Sequence, residues 1–225
     1  MSSPQPEVRR LAFVGGTGPE GRGLALRFAA AGYEVVIGSR SQQRAEETAA
    51  QLRESIPNFL LAGAENGDAC EAGDVVFLTI PYAGLKDTLP PLAPLLQGKI
   101  VVSTIAPVEF VDGRPQARRV EAGSAAQEVQ AYLPGSRVVS AFQTVDAHQL
   151  QDLAATPDTD VLVCSDDAEA RRLVVRLANA ISGIRGLSGG RLSSSRYVEE
   201  CTALLVTLNR IYKVHSGLRI TGIDR

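Results

Sequence analysis

The sequence predicts a doubly wound α/β fold, a mostly parallel sheet with helices on both faces, and three observations predict it. Short β-branched runs alternate with longer helical stretches along most of the chain. Two of those runs, Asp74–Ile80 (DVVFLTI) and Lys99–Ser103 (KIVVS), carry apolar residues almost without a break, as strands covered on both faces do. A glycine-rich turn also follows the first apolar run and opens a helical stretch.

The elements follow in order. Arg10–Val14 (RLAFV) reads as a strand, and Arg22–Ala31, rich in Ala and Leu, as the helix after the turn. Gly32 closes that helix, as glycine does past a C-terminus. Tyr33–Ile37 is the next strand, Gln42–Ser55 a helix, Phe59–Ala62 a weak strand and Asn66–Glu71 a short helix before the apolar run at 74–80. A helix is expected over Leu85–Leu96, then the strand at 99–103. Glu109–Gly123 carries Gly, Pro and charges and reads as a surface loop. Ser124–Leu133 reads as helix, Arg137–Phe142 and Asp160–Cys164 as strands, Ala168–Ile181 as helix and Gly183–Leu187 as a last strand. Leu192–His215 is the longest helical candidate, with an apolar stripe at Leu204, Leu205, Leu208 and Ile211. The chain of 225 residues suits one such domain with a modest appendage. Residues 9–150 are expected to form the binding domain. Residues 151–225 form a small, mainly helical C-terminal region that completes the sheet and one side of a cleft.

Composition narrows the function classes. Hydrophobic residues make up 44% of the chain, ordinary for a globular protein. The net charge of −2, with no basic block, argues against nucleic acid, whose binding needs a positive stripe. No apolar run approaches the ~20 residues of a membrane helix, and the polar, proline-bearing start Met1–Arg10 lacks a secretory pattern and reads as a frayed tail. The three cysteines, Cys70, Cys164 and Cys201, are odd in number and without metal spacing, as expected of buried thiols in the cytoplasm.

The strongest motif is Gly16-Thr17-Gly18-Pro19-Glu20-Gly21, a G-x-G-x-x-G between strand and helix. Gly16 allows the tight turn, Gly18 lets a pyrophosphate approach backbone, and Gly21 lets helix pack on strand. The helix N-terminus offers N–H groups to the phosphates. This is the Rossmann-type arrangement. Where such sites place an acidic residue against the ribose hydroxyls of NAD, this chain has Ser39 with Arg40 beside it. A carboxylate would repel a 2′-phosphate, whereas a guanidinium binds it bidentately. Arg44, one helical turn on, reaches the same side, and Thr17 adds a hydroxyl. The expected cofactor is therefore NADP.

The stretch Val14–Arg40, VGGTGPEGRGLALRFAAAGYEVVIGSR, resembles the NADPH-dependent reductases of the deazaflavin coenzyme F420. So do Leu78–Tyr82, Lys99–Ser103, Val138–Ala141 and Leu192–Arg196, and the likeness runs from about Leu11 to Gly217. The resemblance implies reversible hydride transfer between NADPH and oxidised deazaflavin in a cleft where the two rings stack. It implies that Thr17, Ser39, Arg40 and Arg44 contact the 2′-phosphate. It also implies that Ile80 and Pro81 pass the nicotinamide half, and that Ala106, Gln143, Val145 and Leu218 line the deazaflavin pocket. The departures fall on the acceptor side. Gln143 stands where the family usually has histidine, Asp146 where it tends to have proline, and Val108–Gly123 matches poorly.

The sequence singles out no catalytic side chain, and no metal site is expected. Reduction of a carbonyl needs a proton donor, and nothing in the spacing of His148, His215, Tyr82, Tyr197 or Lys213 defines one. A deazaflavin takes the hydride on a ring carbon and spreads the charge, so stacking and facing N–H groups suffice. His148 and His215 read as surface or cap residues, Asp166-Asp167 as helix-capping acids and Arg171-Arg172 as a solvated helix face. The alternatives left open are an NADP-dependent reductase of an imine, a quinone or a chelated metal ion, and an NADP-binding regulatory protein without turnover. The apolar residues of the last helix admit a homodimer.

Overall fold

A computed structural model describes residues 8–56 and 59–223. The tail expected over Met1–Arg10 lies outside the described residues as far as Glu7. In chain order the elements are β1 (Arg10–Val14), α1 (Pro19–Ala30), β2 (Glu34–Ser39), α2 (Gln42–Ser55), β3 (Leu61–Glu65), α3 (Asn66–Ala72) and β4 (Val75–Leu78). There follow α4 (Leu85–Leu92), β5 (Ile100–Ser103), β6 (Val108–Val111), β7 (Arg114–Ala117), α5 (Ala125–Tyr132) and β8 (Arg137–Ser140). The last third holds α6 (Ala147–Gln151), β9 (Thr159–Cys164), α7 (Ala168–Ala180), β10 (Ile184–Gly190) and α8 (Ser195–Tyr212).

Eight strands form one sheet in the order β10-β9-β8-β5-β4-β1-β2-β3. From β3 to β8 every neighbouring pair is parallel. The order reverses between β1 and β4, and in a doubly wound sheet the crevice at that switch point, beyond the carboxyl ends of the strands, is where ligands bind. Alternation along β1 explains the two-layered core. Leu11 and Phe13 point into one cluster with Leu24, Phe28, Phe77 and Phe142. Ala12 and Val14 point into the other with Val76, Leu78, Leu85 and Leu89. With apolar residues facing both ways, these strands must be roofed on both sides, as the continuous runs predict.

β9 is antiparallel to β8 and meets it at Ser140 opposite Cys164. Its body, back to Thr159, therefore projects past the carboxyl end of β8 and walls the crevice. The C-terminal segment straps this wall. The Asp160 amide donates to the Leu218 carbonyl (2.6 Å). The buried Asp160 carboxylate accepts from Arg185 (2.7 and 2.8 Å), Arg219 (3.0 Å) and the Ile220 amide (2.6 Å). The Arg185 hydrogen bonds come first in holding the Asp160 carboxyl down at about 2. Burial opposes them, and the Ile220 amide and the two guanidinium charges assist.

Several expected elements differ. The first helix starts at Pro19 rather than Arg22, because proline suits the first helical position. The helix expected to run to Leu96 ends at Leu92 and continues as a 3₁₀ turn over Ala93–Leu96. Pro90, Pro91 and Pro94 remove the amide donors that an α-helix would need there. The loop expected at 109–123 contains the antiparallel β6–β7 hairpin. The last helix ends at Tyr212, where Lys213 turns left-handed (φ +54°), so His215 lies beyond it.

Candidate functional site

The first turn after β1 is built by four glycines with different duties. Gly15 is left-handed (φ +72°), and a Cβ there would sit 2.5 Å from Ile80 Cγ2. The Gly16 amide donates to both the Phe13 carbonyl (3.0 Å) and the Gly38 carbonyl (2.9 Å), and a Cβ on Gly21 would meet Gly16 Cα and Thr79 Oγ1 at 2.6 Å. These positions are glycine because the protein itself fills the space. Gly18 differs. Its backbone (φ −77°, ψ 166°) is open to any residue, and a Cβ would touch just the Gly15 carbonyl, at 3.6 Å. What glycine keeps clear at 18 is space outside the protein, above the start of α1.

That start is uncapped. Gly18 is the N-cap and has no side chain to offer, and Pro19 has no amide. The amides of Glu20 and Gly21 have no protein partner among the described residues. Two free N–H groups on a positive helix end, beside a cleared surface, fit a pyrophosphate. Thr17 flanks the same turn, half-buried.

The second turn lies next to it. Ser39 is buried at the end of β2 and its Oγ accepts from the Ser41 amide (3.3 Å). Ser41 caps α2. Arg40 and Arg44 are exposed, and neither guanidinium has an ion pair or hydrogen bond among the described residues. Two uncommitted guanidinium groups with no carboxylate at the end of β2 fit the 2′-phosphate that separates NADP from NAD. The third wall is Thr79-Ile80-Pro81 after β4, where the Thr79 hydroxyl donates to the Val14 carbonyl (3.0 Å). The residues expected to hold the cofactor, Gly16–Gly21, Ser39, Arg40, Arg44, Ile80 and Pro81, thus converge on the switch point.

The acceptor-side residues come from three separate places. Ala106 follows β5 and is half-buried. Gln143 and Val145 follow β8, both 6% exposed. Leu218 is held against β9 by the Thr159 hydroxyl and the Asp160 amide. The turn after β8 is strained. Phe142 has φ +72°, a conformation an L-residue keeps only where its surroundings enforce it. Here the enforcement is burial of the ring against Phe28 (5.9 Å) and Phe77 (6.0 Å). The kink tucks Gln143 inward, where Nε2 donates to Ser140 Oγ (2.7 Å) and its carbonyl accepts from Thr202 on α8 (3.0 Å). Gln143 Oε1 is buried without a partner, as is Ser103 Oγ on the neighbouring strand β5. A buried acceptor lacking a donor within the protein is open to a hydrogen bond from a ligand or an ordered water.

None of the possible proton donors is poised. The Tyr82 hydroxyl donates to Glu128 (2.6 Å), and burial, then that bond, push it up to about 12. Tyr197 and Lys213 are exposed. His215 pairs with Asp146 (3.1 Å) and stands 5.5 Å from the His148 ring. Asp167 caps α7 as expected, whereas Asp166 faces Arg191. Among the described residues no cluster of ligating side chains could hold a metal ion, and no helix is long and apolar enough to cross a membrane.

Three residues have side-chain roles that the sequence did not assign. Arg27 sits on a buried face of α1 and donates to the carbonyls of Leu150 (2.9 Å), Gln149 (2.6 Å) and Ala155 (2.8 Å), anchoring the segment after α6. A charged residue amid LALRFAA was the visible hint. Glu199 on α8 accepts from the amides of Ala125 (2.7 Å) and Ala126 (3.1 Å), capping α5 from a distance. The third is Glu20, whose Oε1 is buried with no partner among the described residues.

A two-turn phosphate cradle at a Rossmann switch point defines a dinucleotide-binding protein. Residues 10–107 match the family described as NADP oxidoreductase, coenzyme F420-dependent. The chain is 42% identical to the F420-dependent NADP reductase of Methanocaldococcus jannaschii, over 96% of this chain and 99% of that one. It is 36% identical to the F420-dependent NADP reductase of Methanothermobacter thermautotrophicus, over 96% of each. A crystal structure of an Arthrobacter sp. FB24 protein, described as an F420-dependent NADP reductase, superposes with a TM-score of 0.79 at 24% identity. It covers 97% of this chain and all of that one, and so supports the fold. The chain belongs to the family of F420-dependent NADP reductases.

Proposed function

We propose that this protein transfers hydride reversibly between NADPH and a deazaflavin coenzyme of the F420 type. The observation that carries this reading is the relationship to F420-dependent NADP reductases over nearly the whole chain. NADPH supplies the hydride and the deazaflavin ring carbon receives it. The chain's own residues bind and orient. Residues 9–150 hold the dinucleotide, with the Glu20 and Gly21 amides on the pyrophosphate, Arg40 and Arg44 on the 2′-phosphate, and Ile80-Pro81 beside the nicotinamide half. Residues 151–225 close the acceptor side. Ala106, Val145 and Leu218 supply apolar walls there, and Gln143 Oε1 accepts a hydrogen bond from a ring N–H. No side chain needs to deliver a proton in the hydride step.

The small-molecule partners fit a protein of the cytoplasm, where Cys70 and Cys164, both buried, and Cys201 stay as free thiols. A homodimer is supported by an apolar stripe on α8. Tyr197, Cys201, Leu204, Leu208 and Ile211 recur at alternating steps of four and three, and Tyr197, Leu204 and Ile211 are more than half exposed. No feature of the site favours an imine, a quinone or a chelated metal as acceptor, or binding without turnover.

The test is direct. Purified protein is mixed with NADPH and oxidised deazaflavin, and the loss of the deazaflavin's visible absorbance is followed. Turnover is expected. Turnover with a quinone or ferric chelate alone would replace this reading with another NADP-dependent reductase. Tight NADPH binding without turnover on any acceptor would make the protein a sensor.

A further inference from the structure

Glu20 is an acid in an unusual place. It occupies the second position of α1, inside the glycine turn, and its backbone amide is one of the two free donors assigned to the pyrophosphate. Its side chain points the other way, toward the start of α6. The same face of α1 continues through Gly23, where a Cβ would sit 2.5 Å from Leu150 Cβ, and Arg27, which clasps the carbonyls after α6. Glu20 Oε1 is shielded from solvent and has no hydrogen-bond partner among the described residues. A carboxylate in such a place is costly, because nothing replaces the water it gave up.

The charged neighbours sharpen this. Asp146, the N-cap of α6, is the carboxylate whose charge acts on Glu20. His215 pairs with the far side of Asp146, and the His148 ring lies beyond, against His215. Arg27 and the Asp152 carbonyl are joined to each other, and Arg22 on the outer side of α1 reaches Gln51 of α2. Arg40 and Arg44 stand on the second turn, toward solvent. Among the described residues no cation pairs with Glu20. Burial first, then the Asp146 charge, hold its carboxyl up at about 8. In the free protein, the positive start of α1 favours a negative charge within its first turn. A bound pyrophosphate takes the free amides there and brings charge of the same sign.

Resting on the NADP-binding reading above, we propose that Glu20 is a proton-linked determinant of dinucleotide affinity. The turn accepts the cofactor with the Glu20 carboxyl neutral, and an ionised Glu20 must take one proton from solvent on binding. Glu20 is a positioning residue here and takes no part in the hydride step. A pH unit below the free carboxyl's midpoint, binding exchanges almost no proton, and at the midpoint it takes up about half of one. Above the midpoint, affinity falls by up to about tenfold per pH unit, the slope of one linked proton.

The experiment is titration calorimetry of the full chain with NADPH from pH 7 to 9.5, where the 2′-phosphate (second pKa about 6 for a phosphate monoester) is already ionised. Wild type should show a dissociation constant that is flat and then rises above about pH 8. Glu20→Gln, neutral throughout, should show no rise. A measurement without a variant runs beside it. At pH 9, the binding heat of wild type in two buffers of different ionisation enthalpy should report uptake of close to one proton. Parallel pH profiles for wild type and Glu20→Gln, or no proton uptake at pH 9, would overturn the proposal and leave NADP binding standing. Failure of wild type to bind NADPH at pH 7 would overturn both.

Discussion

The two sides of the cleft are built in opposite ways. The cofactor side is local. Its glycine turn, helix start and arginine pair fall within residues 14–44, and backbone bonds such as Gly16 to Phe13 and Gly38 hold them. The acceptor side is assembled from afar. Ala106, Gln143 and Leu218 are brought together by contacts such as Thr202 to Gln143 and Leu218 to Asp160. A local site tolerates damage elsewhere in the fold, whereas a distributed site depends on its struts. It also follows that a family can keep its cofactor while changing what it reduces.

The largest effect should come from a strut. Asp160→Ala removes the buried carboxylate that holds Arg185, Arg219 and the Ile220 amide, and leaves Arg185 with the Ile220 and Ile223 carbonyls and Arg219 with the exposed Asp158 alone. A loss of about 3–5 kcal/mol in stability is expected, read by urea denaturation. Acceptor KM should rise with it while NADPH affinity holds. The wild-type contribution has a defined pH range. Arg185 and its other partners hold the carboxyl at about 2 in the native state against the ordinary 3.8, so its contribution is full above about pH 4 and lost as pH falls toward 2. An NADPH affinity that fell in step with stability would mean that the two sides are not independent.

Gly18→Val should invert that pattern. The protein has room for the side chain, so the far-UV spectrum and the denaturation midpoint should stay near wild type. NADPH affinity should fall by about 3 kcal/mol or more, because the added carbons occupy the pyrophosphate's approach. Wild-type affinity in this variant would mean that the dinucleotide lies elsewhere.

Arg40→Ala should weaken NADPH by about 1.5–3 kcal/mol, the value of a hydrogen bond to a charged group, and leave NADH nearly unchanged. Fluorescence titration with both dinucleotides checks it. Equal losses would make Arg40 a support of the turn and not a reader of the phosphate.

The smallest effect belongs to Gln143. Gln143→Ala removes one neutral hydrogen bond, roughly 0.5–1.5 kcal/mol, so deazaflavin kcat/KM should fall about tenfold or less. Gln143→His should be tolerated, since imidazole can also bond Ser140 and present a polar atom to the ring. A collapse of kcat in Gln143→Ala with KM unchanged would make this residue part of the hydride step.

The same contrast explains what the sequence made legible. The parallel core could be read because strands roofed on both faces must be apolar throughout, as Val75–Leu78 and Ile100–Ser103 are. The phosphate cradle could be read because G-x-G-x-x-G and Ser39-Arg40 lie close in sequence and act through backbone and charge. The β6–β7 hairpin escaped because its turn, Asp112-Gly113, is flanked by strands without clean alternation and with exposed Phe110 and Val111. α6 escaped because five residues are too few for a periodic signal. The kink at Phe142 is imposed by packing against Phe28 and Phe77, more than 60 residues away, and no local rule announces it. Glu20 was visible as a letter of the fingerprint. Its raised carboxyl comes from burial of Oε1 and from the charge of Asp146, both of which arise only in the folded chain.

The central claim is that the cleft stacks two rings and passes hydride directly, with no side chain as proton donor. NADPH deuterated on the transferring position of the nicotinamide C4 tests it most directly, with oxidised deazaflavin in ordinary water and mass spectrometry of the product. The account predicts one deuterium in each reduced deazaflavin, a primary isotope effect on the hydride step in single turnover, and a rate that does not titrate with any side chain near neutral pH. Reduced deazaflavin carrying solvent hydrogen at the receiving ring carbon from the first turnover would contradict it.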